Sequence, residues 1–215
     1  MSSSSLKNSL LLGGAILGWV AVGLQLVLII QNRVTPIPET LIRFFSFFTI
    51  LTSIIVALCF SLLWLHRGRE NSASWLTASR LTAIAVYILV VGIVYNVVLR
   101  FLWAPAGLQR FVDEALHVGV PLLYFIYWFR FVPKTSLQWK DAFAWLLYPL
   151  VYLVFILVRG GMAVTPSYPY PFVDVSTLGY QQVAINCMAM LVLFLLLSFT
   201  LIGIARYKQT HISTA

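Results

Sequence analysis

The residues of this chain with the clearest capacity for chemistry centre on a histidine inside a hydrophobic run. His117 follows Asp113 by four positions, so in a helix the two side chains share one face. Ser46 and Thr49, in an earlier apolar stretch, each supply a hydroxyl. A hydroxyl nucleophile, a histidine base and a carboxylate that orients the imidazole are the parts of an acyl-transfer site. This combination predicts ester hydrolysis, with either hydroxyl as the nucleophile.

Further polar side chains at the same depth are candidates for substrate binding. Asn96 and Arg100 are four residues apart on one run, Tyr152 and Arg159 share a face of another, and Asn186 lies in the last. Because polar groups in hydrocarbon need partners, we expect these side chains to converge with the histidine in an outward-opening pocket. There the two asparagines or Arg100 would donate to the oxyanion. The inner half of the bundle is expected to hold no comparable layer.

The same residues also admit structural roles. Serine and threonine in membrane helices commonly donate to their own backbone one turn back, and asparagine commonly bonds a neighbouring helix. Arginines at the ends of a span anchor it at the interface. His117 differs, because a histidine beside an aspartate within such a run is typical of a functional site. A His117 ring beyond one water-bridged hydrogen bond from every hydroxyl would favour binding over hydrolysis.

The composition indicates an integral membrane protein. Of the 215 residues, 61% are hydrophobic and 9% are charged, whereas soluble domains have roughly half and a quarter. A soluble domain of this size could not bury so much apolar surface, but helices in a bilayer satisfy their own backbone hydrogen bonds. The apolar stretches are continuous and do not alternate, which disfavours a transmembrane barrel. We therefore expect an all-α helix bundle.

Six apolar runs give the predicted topology. They cover residues 10–30, 44–65, 81–101, 112–130, 142–162 and 178–205, and one crossing needs about 20 residues. We find no internal repeat and no linker, so a single domain over residues 1–215 is expected. The first run is longer than the core of a signal peptide and lacks a clear cleavage site, so we expect a retained first span.

Basic residues indicate the orientation of the spans. With six crossings both termini share one side with nine of the fourteen Lys and Arg residues, and the positive-inside rule makes that side cytoplasmic. The nine are Lys7, Arg67, Arg69, Arg80, Arg130, Lys134, Lys140, Arg206 and Lys208. The net charge of +8 is spread between the runs without a dense cluster, so we expect membrane lipids as partners and no nucleic acid.

We expect no cofactor and no metal. A membrane haem usually needs two axial histidines, but His66 and His211 lie at the opposite side of the predicted bundle from His117. Cys59 and Cys187 stand in apolar runs away from other metal-binding side chains, so we assign them to packing.

Several segments resemble the bacterial branch of the androgen-induced protein family. They are RFFSF at 43–47, YNVVLR at 95–100, the Leu-His pair ahead of a proline at 116–121, YPLVY at 148–152, RG at 159–160 and YPYPFVD at 168–174. The resemblance extends over nearly the whole chain. It implies six membrane-spanning helices in a bacterial inner-membrane protein, and characterised members of the family hydrolyse fatty acid esters of hydroxy fatty acids.

The resemblance also implies catalytic residues. The family's histidine ahead of a proline matches His117. The family's threonine in the second span falls at Ser46 in an ungapped comparison, while Thr49, one turn on, restores the residue type at a shifted position. The substrate implied is a fatty acyl ester.

Two other functions would use the same polar layer. A non-enzymatic protein that binds a lipid or small molecule needs the pocket but no nucleophile. A transporter commonly shows repeated halves and broken helices at the midplane, whereas here repeats are absent and the layer is off-centre. The sequence leaves the identity of the substrate and the oligomeric state open.

Overall fold

The computed structural model consists of helices joined by turns, with no strand among residues 3–67, 76–134, 137–162 and 168–212, which are the residues described. Five of its helices are long and apolar enough to cross a membrane. The prediction of an all-α, multi-pass membrane protein is thereby confirmed. Arg69, one of the basic residues assigned to the cytoplasmic side, lies outside the described residues. The chain divides into two compact units, Met1–Ser136 and Leu137–Ala215, and each is described by itself.

The first unit contains the helices that carry the candidate site. They are α1 Ser3–Gln31, α2 Ile37–Phe44, α3 Phe48–Leu65, α4 Ala78–Val97, α5 Gly107–Glu114 and α6 Val120–Phe131. A 3-10 turn, Leu99–Phe101, follows α4, and a π-helical turn, Ala115–Gly119, joins α5 to α6. Helix α1 packs along α3, and α4 packs against α6. A Cβ added at Gly18 would lie 2.9 Å from that of Ala57, so the glycine permits the close approach of α1 to α3.

The second apolar run is broken near its start. The run at 44–65 was expected to form one helix, but α2 ends at Phe44 and α3 begins at Phe48. Phe47 has an extended backbone, with φ −82° and ψ 124°, so the helical ladder cannot pass through it. The break places Thr49 in the first turn of α3.

Pro121 explains the π-helical turn. Proline has no N–H, so the carbonyl of His117 lacks its usual helical partner four residues on. The N–H of Val120 donates to a carbonyl five residues back, and the Asn96 side chain of α4 donates to the His117 carbonyl at 3.3 Å. A Cβ at Gly92 would lie 3.2 Å from that carbonyl, so the glycine lets α4 approach closely. The regular helical hydrogen bonding is thus interrupted at Pro121.

A buried apolar cluster connects α1, α2 and α3 to α5 and the π-helical turn. In lipid such contacts stabilise through close packing, because lipid tails are as apolar as the side chains. Phe44, 1% exposed, belongs to this cluster and fixes the end of α2. The cluster consists of Ala21, Val22, Leu28, Phe44, Ile50, Val112, Ala115 and Leu116.

A second group of polar atoms is buried between α3, α4 and α6. The Tyr124 hydroxyl donates to the Leu81 carbonyl at 3.1 Å and lies 3.6 Å from the sulfur of Cys59. The indole N–H of Trp128 donates to the Thr82 hydroxyl at 2.9 Å. These atoms lie in the half predicted to be cytoplasmic, so the expectation that this half holds no comparable polar layer was wrong. Aromatic residues there contribute polar atoms as well as packing surface.

The second unit contains α7 Asp141–Ala144, α8 Leu147–Met162 and α9 Val175–Ile212, with a 3-10 turn at Pro171–Val173. Helix α9 is interrupted at Gly179, where φ is 74° and ψ is 162°. That backbone region is essentially restricted to glycine. The first four residues of α9 therefore form a separate turn ahead of its long apolar part.

Asp174 caps this first turn of α9. Its carboxylate accepts from the N–H groups of Ser176 and Thr177 at 3.0 and 3.3 Å, as an N-cap does. The side-chain hydroxyls of the same two residues also donate to it, and together these bonds hold the pKa of Asp174 below its usual range. The connection before α9 is ordered further by the Tyr170 and Phe172 rings, which stack with centroids 5.3 Å apart.

Candidate active site

His117 and Thr49 meet in the first unit. Thr49 Oγ1 lies 3.4 Å from His117 Nε2, a long hydrogen bond of the kind that tightens when substrate binds. His117 Nδ1 lies 2.9 Å from the main-chain carbonyl of Asp113. A carbonyl only accepts, so Nδ1 carries the proton and Nε2 is the acceptor for the threonine hydroxyl. This is the tautomer that a general base needs.

The three side chains are withdrawn from solvent. The His117 and Asp113 side chains are 11% and 8% exposed, and Thr49 is 8% exposed. The carboxylate of Asp113 lies beside the imidazole, with Oδ1 3.5 Å from Nδ1. Its main-chain carbonyl makes the shorter contact, so backbone and side chain of the same residue both border the ring.

Tyr95, which was absent from the predicted site residues, also borders the imidazole. Its ring stacks on that of His117, with centroids 3.8 Å apart and planes 14° apart. Its hydroxyl donates to Asp113 Oδ2. The sequence offered only the position of Tyr95 next to Asn96, because its contacts depend on how α4 packs against the π-helical turn.

An ion-pair network lies next to Tyr95. The Arg100 guanidinium donates through two nitrogens to the two carboxylate oxygens of Glu114, at 2.6 and 2.8 Å. Its third nitrogen donates to the Asn96 side chain at 2.9 Å, and the Asn96 amide donates to the carbonyls of Gly92 and His117. Sequence reasoning assigned no role to Glu114. Asn96 and Arg100 thus lie at the site, but their donors contact protein groups; their role as oxyanion donors stays a prediction.

The two candidate hydroxyls differ in their surroundings. The buried Ser46 hydroxyl donates to the Ile42 carbonyl at 2.6 Å, which is the back-bond to the preceding turn common for serine in membrane helices. The hydroxyl that lies against the imidazole is that of Thr49. Geometry therefore favours Thr49 over Ser46 as the nucleophile.

The position of Thr49 in the first turn of α3 adds an electrostatic contribution. The 18-residue helix presents the positive end of its dipole there. Negative charge that develops on a carbonyl oxygen next to Thr49 would be stabilised by this field.

The remaining predicted site residues belong to the second unit. Tyr152 is buried on α8, and Arg159 is partly exposed on the same helix. The Asn186 side chain of α9 donates to the Phe172 carbonyl at 2.8 Å and accepts from Gln182 at 3.1 Å. Their convergence with His117 in one pocket stays a prediction.

Within the described part of the chain, no three His, Cys, Asp or Glu side chains lie together as a metal site would require. No protein family, no curated protein and no solved structure matches the chain. The resemblance to the androgen-induced protein family stays a prediction.

Proposed function

We propose that the protein is a membrane-embedded hydrolase of lipid esters, with Thr49 as nucleophile and His117 as general base. The observation that carries the proposal is the 3.4 Å separation of Thr49 Oγ1 from His117 Nε2. A threonine hydroxyl becomes an effective nucleophile only with a base within hydrogen-bond reach, and here the tautomer of that base is held by a carbonyl.

The proposed reaction has two halves. Thr49 Oγ attacks the ester carbonyl carbon while its proton moves to His117 Nε2. The bond from that carbon to the alcohol oxygen breaks, and the imidazolium gives its proton to the departing oxygen. Water then attacks the acyl group on Thr49, again losing a proton to His117, and the threonine oxygen departs and recovers that proton. The products are a carboxylic acid and an alcohol.

The setting favours a lipid substrate. Thr49 lies in the first turn of an apolar helix and His117 follows Leu116 of the apolar cluster, so an ester dissolved in the bilayer would reach the site without crossing water. The resemblance to the androgen-induced protein family supports a fatty acyl ester in particular. Membrane lipids would then be both the surroundings and the source of the substrate.

The proposal includes six crossings with both termini in the cytoplasm of a bacterial cell. Helices α5 and α6 and the π-helical turn between them form a continuous stretch of 25 residues, about 37 Å long at 1.5 Å per residue. That length suffices for a bilayer core of about 30 Å. This stretch would be the sixth crossing beside the five long helices, and it would place His117 in the outer half.

One observation favours a second function, the binding of a lipid or small molecule without turnover. The side-chain donors next to His117, those of Asn96 and Arg100, already bond protein groups. An oxyanion would therefore depend on the field of α3 and on backbone N–H groups. A binding protein has no such requirement.

Labelling with a fluorophosphonate probe separates the two functions. We expect covalent labelling of the purified protein at Thr49, identified by peptide mass spectrometry. Thr49→Val, which keeps the shape and removes the hydroxyl, and His117→Gln should each lower the labelling rate at least about 100-fold. Thr49→Ser should retain labelling.

Ser46→Ala is the matched control and should label like the wild-type protein. Labelling that persists in Thr49→Val, or that is indifferent to His117→Gln, would contradict the hydrolase. An unlabelled wild-type protein that still binds fatty acyl esters would support the binding function.

A further inference from the structure

Tyr95 contacts both the proposed base, His117, and the Asp113 side chain beside it, and the proposed reaction gives it no role. Its ring covers one face of the His117 imidazole, with centroids 3.8 Å apart. Its hydroxyl donates to the carboxylate of Asp113. Tyr95 is 4% exposed and lies in the last turn of α4. One side chain from a different helix thus restrains the ring and the neighbouring carboxylate together.

We propose that Tyr95 is a positioning residue for His117, an inference that rests on the proposed hydrolase function. The imidazole must keep Nε2 directed at Thr49, and a stacked ring at van der Waals distance prevents its rotation out of that plane. The tyrosine hydroxyl donates to Asp113 Oδ2 and so restrains the carboxylate, whose other oxygen lies 3.5 Å from Nδ1.

Tyr95 also acts selectively on the reacting state. The imidazole becomes a cation when it takes the Thr49 proton, and a cation over the face of an aromatic ring is attracted by the ring's electrons. The neutral imidazole gains less from the same face. An interaction that is stronger in the transition state than in the ground state raises the rate of the chemical step.

The other charged groups near the ring leave this attraction in place. Arg100 approaches Tyr95, with its guanidinium carbon 5.1 Å from the ring centroid. Its positive charge is paired with the carboxylate of Glu114 through two hydrogen bonds. The carboxylate of Asp113 lies on the side of Nδ1. The imidazolium therefore meets a carboxylate and an aromatic face, and the Arg100 guanidinium is paired with the carboxylate of Glu114.

Two substitutions separate the contributions of the hydroxyl and the ring. Tyr95→Phe removes the hydrogen bond and keeps the ring, and we expect a labelling rate about 3- to 10-fold lower. Tyr95→Leu removes both, and we expect a rate about 10- to 100-fold lower. Tyr127→Phe is the matched control, because it removes the hydroxyl of another buried tyrosine in the first unit, and its rate should not change.

Nuclear magnetic resonance of histidine-labelled full-length protein in lipid nanodiscs gives a readout independent of activity. His66→Gln and His211→Gln assign the other two histidines. In the wild-type protein we expect His117 with Nδ1 protonated, Nε2 bare and its ring protons shifted upfield by the Tyr95 ring. The upfield shift should remain in Tyr95→Phe. In Tyr95→Leu the shift should disappear, and His117 should no longer show a single tautomer.

A His117 spectrum that is unchanged in Tyr95→Leu would overturn the proposal, and so would wild-type labelling rates in both variants. If the wild-type protein is never labelled, the hydrolase proposal fails by itself. The spectra then still decide whether Tyr95 positions the imidazole.

Discussion

At the scale of single residues, the main chain of Asp113 orients the proposed base. Nδ1 of His117 is 2.9 Å from the Asp113 carbonyl and 3.5 Å from its carboxylate. In a catalytic triad the carboxylate alone selects the tautomer, and its loss costs about 10⁴-fold in rate. Here the carbonyl survives any substitution at the position, so the carboxylate contributes mainly its charge.

We therefore expect Asp113→Asn to lower the rate of fluorophosphonate labelling only about tenfold, because the tautomer is retained. The measurement compares second-order labelling rates of this variant, of His117→Gln and of the wild-type protein. Asp141→Asn, the same change on α7 in the second unit, is the control and should label normally. A loss as large as that of His117→Gln would mean that the carboxylate is the true orienting group.

Sequence reasoning found part of this site. The pairing of Asp113 with His117 followed from their spacing of four residues, since one helix carries both. The choice between Ser46 and Thr49 could not be made, because it depends on a break at residues 45–47 that apolar composition does not reveal. Tyr95 was missed because a contact between helices depends on packing, and a tyrosine in an apolar run has no spacing that marks it.

At the scale of helical elements, α4 supplies a hydrogen-bond donor that the π-helical turn needs. The carbonyl of His117 lacks the usual donor four residues on because residue 121 is proline, and the Asn96 side chain donates to it from the neighbouring helix. A buried carbonyl without a partner would cost about 1–3 kcal/mol. The missing N–H follows from the residue type at position 121, whereas the donor that replaces it depends on how α4 packs.

This pairing predicts a coupling between Asn96 and Pro121. Asn96→Leu should lower the free energy of unfolding by about 1–3 kcal/mol, since the carbonyl loses its donor. In the Pro121→Ala background, an N–H is restored and the same substitution should cost at least about 0.5 kcal/mol less. Asn96→Leu also removes the hydrogen bond from Arg100, but it does so in both backgrounds, so this contribution cancels when the two costs are compared.

The measurement is denaturant-induced unfolding in detergent, followed by helical circular dichroism, for the four proteins of the cycle. Strictly additive effects of the two substitutions would contradict a shared role at the His117 carbonyl.

At the scale of the whole molecule, the number of crossings decides where the site faces. In the described part of the chain five helices are long and apolar enough to span a bilayer, and the proposed sixth crossing would consist of α5, the π-helical turn and α6. Composition and hydropathy were sufficient to predict an all-α membrane protein, because a bilayer imposes length and apolarity directly. They did not show the breaks at residues 45–47 and at Gly179, which follow from local backbone conformation.

Cysteine labelling in intact cells tests this topology. In a Cys59→Ala, Cys187→Ala background, a membrane-impermeant maleimide should label Arg110→Cys and should leave Lys7→Cys and Lys208→Cys unlabelled. All three should label after permeabilisation, which controls for accessibility. If Lys208→Cys is labelled and Lys7→Cys is not, the number of crossings is odd. If both are labelled, the bundle has the opposite orientation, with both termini outside.

The π-helical turn amounts to the insertion of a single residue into an otherwise regular helix. Removing that residue would restore the ordinary hydrogen-bond ladder but rotate all that follows by about 100° relative to all that precedes. Helix α4 is contacted from both sides of the insertion, by Asp113 of α5 through Tyr95 and by Trp128 of α6 through Thr82. The extra residue thus keeps two distant sets of contacts in phase along one continuous helical stretch, and a chain without it would lose one of them.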